Sequence, residues 1–351
     1  MTKGDEIMDI DVKGIDGGET RRHILGLLGG ASVAAGGLAL LWGSNDESGY
    51  ATSIPTPTPT ATSTTAAPGA YTATNADWLN FTLQLHYLLA AYLQRSLDGT
   101  TLSASLTSGS GTAGQVRGGQ AVAFTDPVLR TLAREVTTAT VARIGLLRRT
   151  LGSAVTAQPA IDISGGQGSP FQAIAAYSGP NATPPTTFFN PYASEKDYLL
   201  GAVALFAVAT SAIPRIAALA GNDVRATLGL ICAGVAANDA TLRNALFYRA
   251  DQEPLKPPAG EKTLFERANI MSDGRDQFDG PADLDQGVGG FAGKTDVNAN
   301  IGVTDANSIQ LRRTPEQVLG VLYASASSVA AGAFFPAGIN GTIRVSGLNV
   351  A

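Results

Sequence analysis

This chain of 351 residues has very little cysteine and histidine, with one Cys and two His. The single cysteine, Cys232, cannot form an intramolecular disulfide, and its alanine-rich surroundings favour a buried, unreactive thiol over a nucleophile. His23 lies close to the N-terminus, so His86 is the one imidazole in the part of the chain expected to fold. Sites built from several histidines are therefore excluded.

Charge is also scarce, because charged residues make up 15% of the chain and the formal net charge is -5. The few Lys and Arg are scattered, so the sequence offers no basic surface to neutralise a phosphate backbone, and nucleic acid is not an expected partner. The 41 glycines and 18 prolines indicate that much of the chain is loop or tether.

The N-terminus carries a targeting pattern. Arg21 and Arg22 precede an uncharged apolar run, Ile24–Trp42, which is long enough to cross a bilayer. The pattern resembles the twin-arginine export signal of bacteria. We expect residues 1–20 to form a cytoplasmic tail, residues 21–43 to form a signal or transmembrane anchor, and the rest to lie on the periplasmic side of the inner membrane.

The leader is either kept or cleaved. No Ala-x-Ala site adjoins Trp42, which favours a retained single-pass anchor, whereas cleavage would leave a soluble periplasmic protein. Gly26, Gly30 and Ala34 form a small-residue face that would let another membrane helix approach closely, although a glycine-rich signal has the same composition. Residues 44–74, rich in Pro, Thr and Ser, are predicted to be a semi-extended linker.

Four long stretches have helical periodicity and plausible N-caps at Asn75, Thr125, Ser194 and Asn222. They cover about Ala76–Leu97, Asp126–Leu151, Glu195–Ala220 and Asp223–Tyr248. The short link between the third and fourth forces them to pack antiparallel, whereas the long link between the second and third permits a crossover along the bundle. The fold class is therefore all-α, a ferritin-like four-helix bundle over residues 75–250.

Residues 251–351 are predicted to be a loop-rich extension that packs on the bundle. Proline and glycine recur there, and one short helix is expected at Pro315–Ser325, capped by Thr314. The acidic stretch Asp273–Asp285 does not have the carboxylate spacing of a calcium loop, so a solvated loop is expected. Gly293–Thr295 lacks the first glycine of a phosphate-binding loop and is expected to be an ordinary loop.

The second helix has two polar residues where a core should be. Leu129, Val136 and Leu147 fall on one face, and Thr140 and Arg143 interrupt that apolar stripe. A buried guanidinium needs a partner, because an isolated charge is costly to remove from water.

Several spaced motifs resemble the bacterial ferritin-like family related to plant desiccation proteins. They are NFTLQLHYLLAAYL from Asn80, AREVTTATVARIGLLRRTLG from Ala133, LRNALFY from Leu242, and RTPEQVLGVLY with AGAFFPAGINGT in the tail. The resemblance covers about Asn75 to Thr342. It implies a bundle whose helices carry glutamates and Glu-x-x-His pairs around two metal ions.

The chain departs from that pattern at the metal ligands. Where the family has glutamates in the first helix, this chain has His86, Leu89 and Ala91; the two Glu-x-x-His pairs are replaced by Thr140 with Arg143 and by Ala236 with Asp239. The third helix offers Ala207 and Val208 near Phe206. Because a metal pair needs several carboxylates and imidazoles, we expect no metal or other cofactor, and the oxidase or iron-storage chemistry is expected to be lost.

An ion pair is predicted in place of the metals. Arg143 and Asp239 occupy the positions of the two missing histidines, so we expect them to pair, with His86 joining by a hydrogen bond and Arg243 competing for the same carboxylate. The alternative is that Arg143 extends to solvent.

The function expected from these features is that of a non-catalytic, exported and membrane-anchored structural subunit. Its partners would be other subunits of a membrane complex, such as a respiratory or photosynthetic one, reached through the membrane helix and the outer loops. Two alternatives stay open: a cleaved, soluble stress or desiccation-related protein, and a metal-dependent oxidase with a rebuilt site.

Overall fold

Four long helices dominate the computed structural model, which describes residues 72–175, 188–253, 261–292 and 296–347. They are α1 (Asn75–Asp98), α3 (Pro127–Leu151), α5 (Glu195–Leu219) and α6 (Asn222–Asp251), and a single turn, α2 (Ala104–Thr107), lies between the first two. These bounds agree with the four helices that periodicity predicts. The described part of the chain is mostly helical.

The helix starts are set by capping, in part by residues other than those predicted. Thr74, rather than Asn75, caps α1 and forms a capping box with Asp77. Asp126, rather than Thr125, caps α3, because its carboxylate accepts from two backbone N–H groups of the first turn. Ser194 caps α5 as predicted, whereas Gly221 precedes α6 and makes no side-chain cap.

The long helices pack in two pairs, α1 against α3 and α5 against α6, and the pairs meet where α1 contacts α5 and α3 contacts α6. α1 and α5 are buried on nearly every side, including continuous buried runs at 78–93 and 198–213. α3 and α6 alternate between buried and exposed positions. The described core therefore centres on α1 and α5.

The connection from α3 to α5 lies over α1. It contains a short 3-10 turn at Gly152–Ala154, the strand β2 (Ile161–Asp162) and the short helix α4 (Pro170–Ala175), and its residues 176–187 lie outside the described part. β2 pairs in parallel with β1 (Val116–Arg117). The Gln84 side chain of α1 donates to the hydroxyl of Thr156 at 2.8 Å, which helps to fix this connection to the helix.

The C-terminal extension is more ordered than predicted. A capped helix, α7 (Leu264–Asp276), precedes the antiparallel pair β3 (Gly289–Ala292) and β4 (Asp296–Ala299), and the predicted short helix is present as α8 (Pro315–Tyr323), capped by Thr314. The expectation that this region is otherwise loop is wrong at α7 and at the β3–β4 pair. Phe334 and Phe335 are fully buried in the core cluster, so the tail packs back on the helices.

Several predicted features lie outside the described residues. These are the N-terminal tail, the leader with Gly26, Gly30 and Ala34, nearly all of the linker, and Gly293–Thr295. Among the described helices, α5 is long and apolar enough to cross a membrane. Most of it is buried inside the protein, which is the behaviour of a core helix.

Candidate functional site

His86 lies in the core, with no solvent exposure. Its Nδ1 is 2.8 Å from the carbonyl oxygen of Thr82, one turn earlier in α1, and its Nε2 has no hydrogen-bond partner within the described structure. Burial, together with the nearby positive charge of Arg143, lowers the pKa of the imidazole to about 4, although the hydrogen bond to Thr82 acts in the opposite direction. His86 is therefore a neutral imidazole at physiological pH.

Arg143 reaches from α3 to α6. Its Nη2 donates to the carbonyl oxygen of Gly234 at 2.7 Å, and with the Asn238 amide turned to present its oxygen, the same guanidinium also donates to that side chain. Burial lowers the pKa of the guanidinium. The close approach is possible at Gly234, because a Cβ on this residue would lie 2.9 Å from Arg143 Nη2.

The predicted ion pair between Arg143 and Asp239 is wrong. Among the described residues no carboxylate lies within salt-bridge distance of Arg143, whose partners are a backbone carbonyl and an amide. The alternative, an arginine extended into solvent, is wrong as well, since the side chain is half-buried between two helices. The register of the two antiparallel helices explains the failure, because Arg143 lies opposite Gly234 and Asp239 is five residues further along α6, roughly 7.5 Å along the helix axis.

Thr140 and Ala236 give the site no ligand. Thr140 is fully buried, and its hydroxyl donates to the carbonyl oxygen of Val136 in its own helix at 2.8 Å. Ala236 is partly buried and apolar. The predicted hydrogen bond from His86 to the Arg143–Asp239 pair is also absent, since the imidazole bonds within α1.

Asp239 is a buried carboxyl, 3% exposed. Burial raises its pKa to about 6, although the nearby charge of Arg243 and the hydroxyl of Thr210 lower it. Thr210 lies near the carboxyl without a well-formed hydrogen bond, because neither its hydroxyl nor Asp239 Oδ1 meets the distance and angle that such a bond requires. The sequence of the third helix indicated Ala207 and Val208 as its inward positions and gave no signal for this threonine.

Arg243 is fully buried, yet it does not compete for Asp239 as predicted. Its guanidinium donates to the carbonyl oxygens of Gln286, Gly287 and Asn300, with Nη2 3.0 Å from Gln286 and 2.9 Å from Asn300. The charge of Asp239 stabilises the cation without a direct ion pair. Arg243 therefore attaches the extension to α6.

A second buried charge cluster lies where sequence analysis predicted a solvated loop. Arg313 pairs with Asp279 at 2.6 Å and with Asp285 at 2.5 Å, and Arg275 pairs with Asp285 at 2.6 Å. Arg313 also donates to the hydroxyl of Ser211 in α5 at 2.7 Å. The prediction failed because the arginines that bury these aspartates are remote in sequence or lie in the unpredicted helix α7.

The donor set between the long helices does not fit a pair of metal ions. The described residues contain no group of three or more His, Cys, Asp or Glu side chains arranged to hold a metal. A guanidinium lies near the single imidazole, and it would repel a cation in this low-dielectric environment. Of the remaining polar atoms, the Thr140 hydroxyl bonds to its own helix, and the Thr210 hydroxyl lies near the Asp239 carboxyl.

Comparison with known families gives one match, which agrees with this architecture. Residues 74–248 match the family model described as ferritin-like domain. The matched segment begins at the cap of α1 and ends near the last turn of α6, so it spans the four long helices, and we call residues 74–248 the ferritin-like domain. No curated protein and no solved structure matches the chain.

Proposed function

We propose that this chain is a non-catalytic structural subunit, exported and anchored on the periplasmic side of the bacterial inner membrane, where it binds or stabilises a membrane protein complex. Its ferritin-like domain is a four-helix bundle with a crossover, in which the ancestral di-metal site is degenerate. The observation that carries the proposal is the position of Arg143, which bridges α3 and α6 next to a neutral His86, because a guanidinium there opposes the binding of metal cations.

The polar groups of the domain support a structural role. Arg143 is half-buried and donates to a backbone carbonyl, and Arg243 donates to three carbonyls of the extension. Each of them joins two parts of the fold. Nucleophilic or acid-base catalysis needs a base within hydrogen-bonding reach of a nucleophile, whereas His86 bonds to the backbone of its own helix.

The membrane location rests on the N-terminal sequence. Arg21 and Arg22 precede the apolar run Ile24–Trp42, and acidic residues follow it, which orients such a segment with its N-terminus in the cytoplasm. The linker that follows would hold the ferritin-like domain close to the outer membrane surface. Gly26, Gly30 and Ala34 offer a face for a second membrane helix.

The test is to extract the full chain from membranes and identify what accompanies it. A C-terminally tagged chain is solubilised in mild detergent, separated by size and analysed for co-purifying proteins. We expect the chain in the membrane fraction after a carbonate wash, with an intact N-terminal segment and stoichiometric partner subunits. A chain found in the soluble periplasmic fraction with its leader removed and no partner would contradict the proposal.

Metal analysis of the same preparation tests the non-catalytic part separately. We expect iron and manganese far below one ion per chain, because the donor set contains a single imidazole and a guanidinium. The matched control is a variant with Thr140→Glu and Arg143→His, which restores one Glu-x-x-His pair and should bind more metal than the parent. A stoichiometric metal pair in the parent chain would refute the proposed loss of chemistry.

A further inference from the structure

The ferritin-like domain has one side that the rest of the described chain leaves uncovered. The connection after α3 lies on α1, and the extension contacts α5 through Arg313 and the C-terminal half of α6 through Arg243. The outer faces of α3 and α6 are exposed, on α6 as far as Tyr248 near its C-terminal end. We call these two faces the open side.

Large apolar side chains are concentrated on the open side. Within the described residues, eight large hydrophobic side chains are exposed, and four of them, Val128, Leu146, Leu230 and Tyr248, belong to α3 and α6. Leu230 is 77% exposed and Val128 66%. Single exposed apolar residues are common on protein surfaces, but half of this set lies on one pair of helices.

The four side chains are arranged as two pairs. Arg249 forms an ion pair with Asp126, which places Tyr248 beside the helix end that carries Val128. The hydrogen bond from Arg143 to Gly234 sets the antiparallel register further along, and it places Leu146 close to Leu230. In each helix the two apolar residues are about five turns apart, or roughly 27 Å, so they share one helical face.

The surface between the two pairs is small and uncharged on α6. Ala226, Gly229, Ala233 and Ala237 are exposed at helical spacing, and Asp239, the charged residue of the stretch 226–241, is buried. Small side chains allow another helix to approach closely. This α6 stretch adds no like-charge repulsion between identical surfaces, and the charged side chains exposed on α3, Arg130, Arg134, Glu135 and Arg149, are of both signs.

We propose that the open side is the interface of a homodimer. An isologous interface must be self-complementary, because each patch meets its own copy. The two-fold axis lies in the plane of the open side and crosses its middle at right angles to the helices. It brings the Leu230 end of one α6 onto the Tyr248 end of the other. The same rotation brings the Leu146 end of one α3 onto the Val128 end of the other, so apolar ends meet apolar ends and the small-residue stretches meet in the centre.

The area of the open side is sufficient for a stable dimer. A face about 35 Å long, including the end side chains, and two helix diameters of about 10 Å wide offers roughly 700 Å² per copy. The total, about 1,400 Å², lies within the range of specific protein interfaces. This inference does not depend on the proposed membrane partner, which would use the membrane helix and outer loops.

The test is the oligomeric state of the purified full chain in mild detergent, measured by sedimentation equilibrium with detergent-matched density. We expect the mass of two chains for the parent. Leu230→Arg on α6 and Val128→Arg on α3 should each weaken the dimer by at least roughly tenfold, because each places a charge in the apolar contact. Both positions are exposed in the single chain, so circular dichroism should show an unchanged fold.

The matched control is Ile309→Arg, the same type of change at a position that is 54% exposed in the extension, outside α3 and α6. It should leave the dimer intact. A parent chain with the mass of one copy would overturn the proposal. So would a dimer that survives both open-side substitutions, which would indicate association through another surface such as the N-terminal segment, or a dimer that Ile309→Arg disrupts equally.

Discussion

Asp239 is buried beside an arginine that bonds to other groups. Burial raises the pKa of its carboxyl to about 6, and the charge of Arg243 reduces that shift without cancelling it. The folded state therefore binds the proton more tightly than the unfolded chain, in which an aspartate has a pKa near 3.8. Its contribution to stability is fully present below about pH 4 and is lost as the pH rises through about 6.

We predict that Asp239→Asn stabilises the protein more at pH 8 than at pH 4. The asparagine has no charge to bury, so its advantage over the parent should grow by about 2 kcal/mol between the two pH values, slightly less than the full equivalent of a pKa shift of about two units, because the unfolded carboxyl is already partly ionised at pH 4. Urea unfolding of both chains at each pH measures the difference. An advantage that shrinks as the pH rises would mean that Asp239 is held by a strong ion pair after all.

Individual residues show what the sequence could and could not predict about the site. Thr140 and Arg143 were identified from helical spacing alone, and the structure places both between helices as expected. The partner of Arg143 could not be predicted, because a carbonyl such as that of Gly234 has no side-chain signal. Thr210 was missed for a related reason. A threonine inside a helix can bond to its own backbone, so it gives no signal of a nearby carboxyl.

At the scale of helices, α5 approaches α1 through a glycine. A Cβ on Gly201 would lie 2.5 Å from the Tyr92 hydroxyl oxygen. Tyr92 cannot easily move, because it stacks on Tyr198 with ring centroids 5.9 Å apart and donates to the carbonyl oxygen of that residue at 2.8 Å. The α1–α5 contact therefore requires glycine at position 201.

We predict that Gly201→Ala destabilises the protein by about 1–3 kcal/mol, the usual cost of overpacking a rigid core. The matched control is Gly145→Ala in α3, where a Cβ would meet only the flexible end of the Arg149 side chain, at 3.3 Å. There the better helix propensity of alanine should stabilise the protein by about 0.5–1 kcal/mol. Thermal unfolding of the two variants measures both effects, and equal effects of the same sign would contradict the proposed tight contact.

The attachment of the extension to α6 depends on Arg243. Replacement by methionine keeps the apolar stem but leaves the carbonyls of Gln286 and Asn300 without this donor and Asp239 without its nearest cation. We predict that Arg243→Met costs about 3–5 kcal/mol, as expected when one partner of a buried charge network is removed. Limited proteolysis should then cleave the region 261–300 faster than in the parent.

Arg249→Met is the control for that substitution, because Arg249 pairs with Asp126 at the partly exposed edge of α6. It should cost no more than about 1 kcal/mol, the usual value for such a pair, and leave the cleavage rate of the extension unchanged. Equal protection of the extension in Arg243→Met would show that β3, β4 and α7 are held by other contacts.

The order of the helices was predictable because helical periodicity extends along α3, α6 and α8, although of their three predicted caps only Thr314 is confirmed. α1 and α5 were recognised from length and apolar content, since both are buried nearly all round and lack a polar face. α7 was not predicted, because Gly274 and several polar residues interrupt its apolar spacing. Gly274 allows α7 to approach α4 closely, because a Cβ at this position would lie 2.1 Å from the carbonyl oxygen of Ile174.

At the scale of the whole molecule, the ferritin-like domain and the extension form one core. The core cluster contains residues of all four long helices together with Leu264, Val318 and Phe334 of the extension. Arg313 joins the extension to Ser211 in α5 through a buried hydrogen bond. Without the extension, α5 would present to water a helix apolar enough to cross a membrane. The boundary predicted at residue 250 therefore separates two stretches of sequence that share one core.

We predict opposite outcomes for two truncations. A chain of residues 72–351 retains every described contact, so it should give one monodisperse peak in size-exclusion chromatography without detergent and unfold cooperatively. A chain that ends at residue 253 loses Arg313, α7 and the buried tail, and the exposed apolar surface of α5 should make it aggregate. If the shorter chain were monodisperse with a similar melting temperature, the four long helices would be an independent domain, and the buried charge cluster would serve the extension alone.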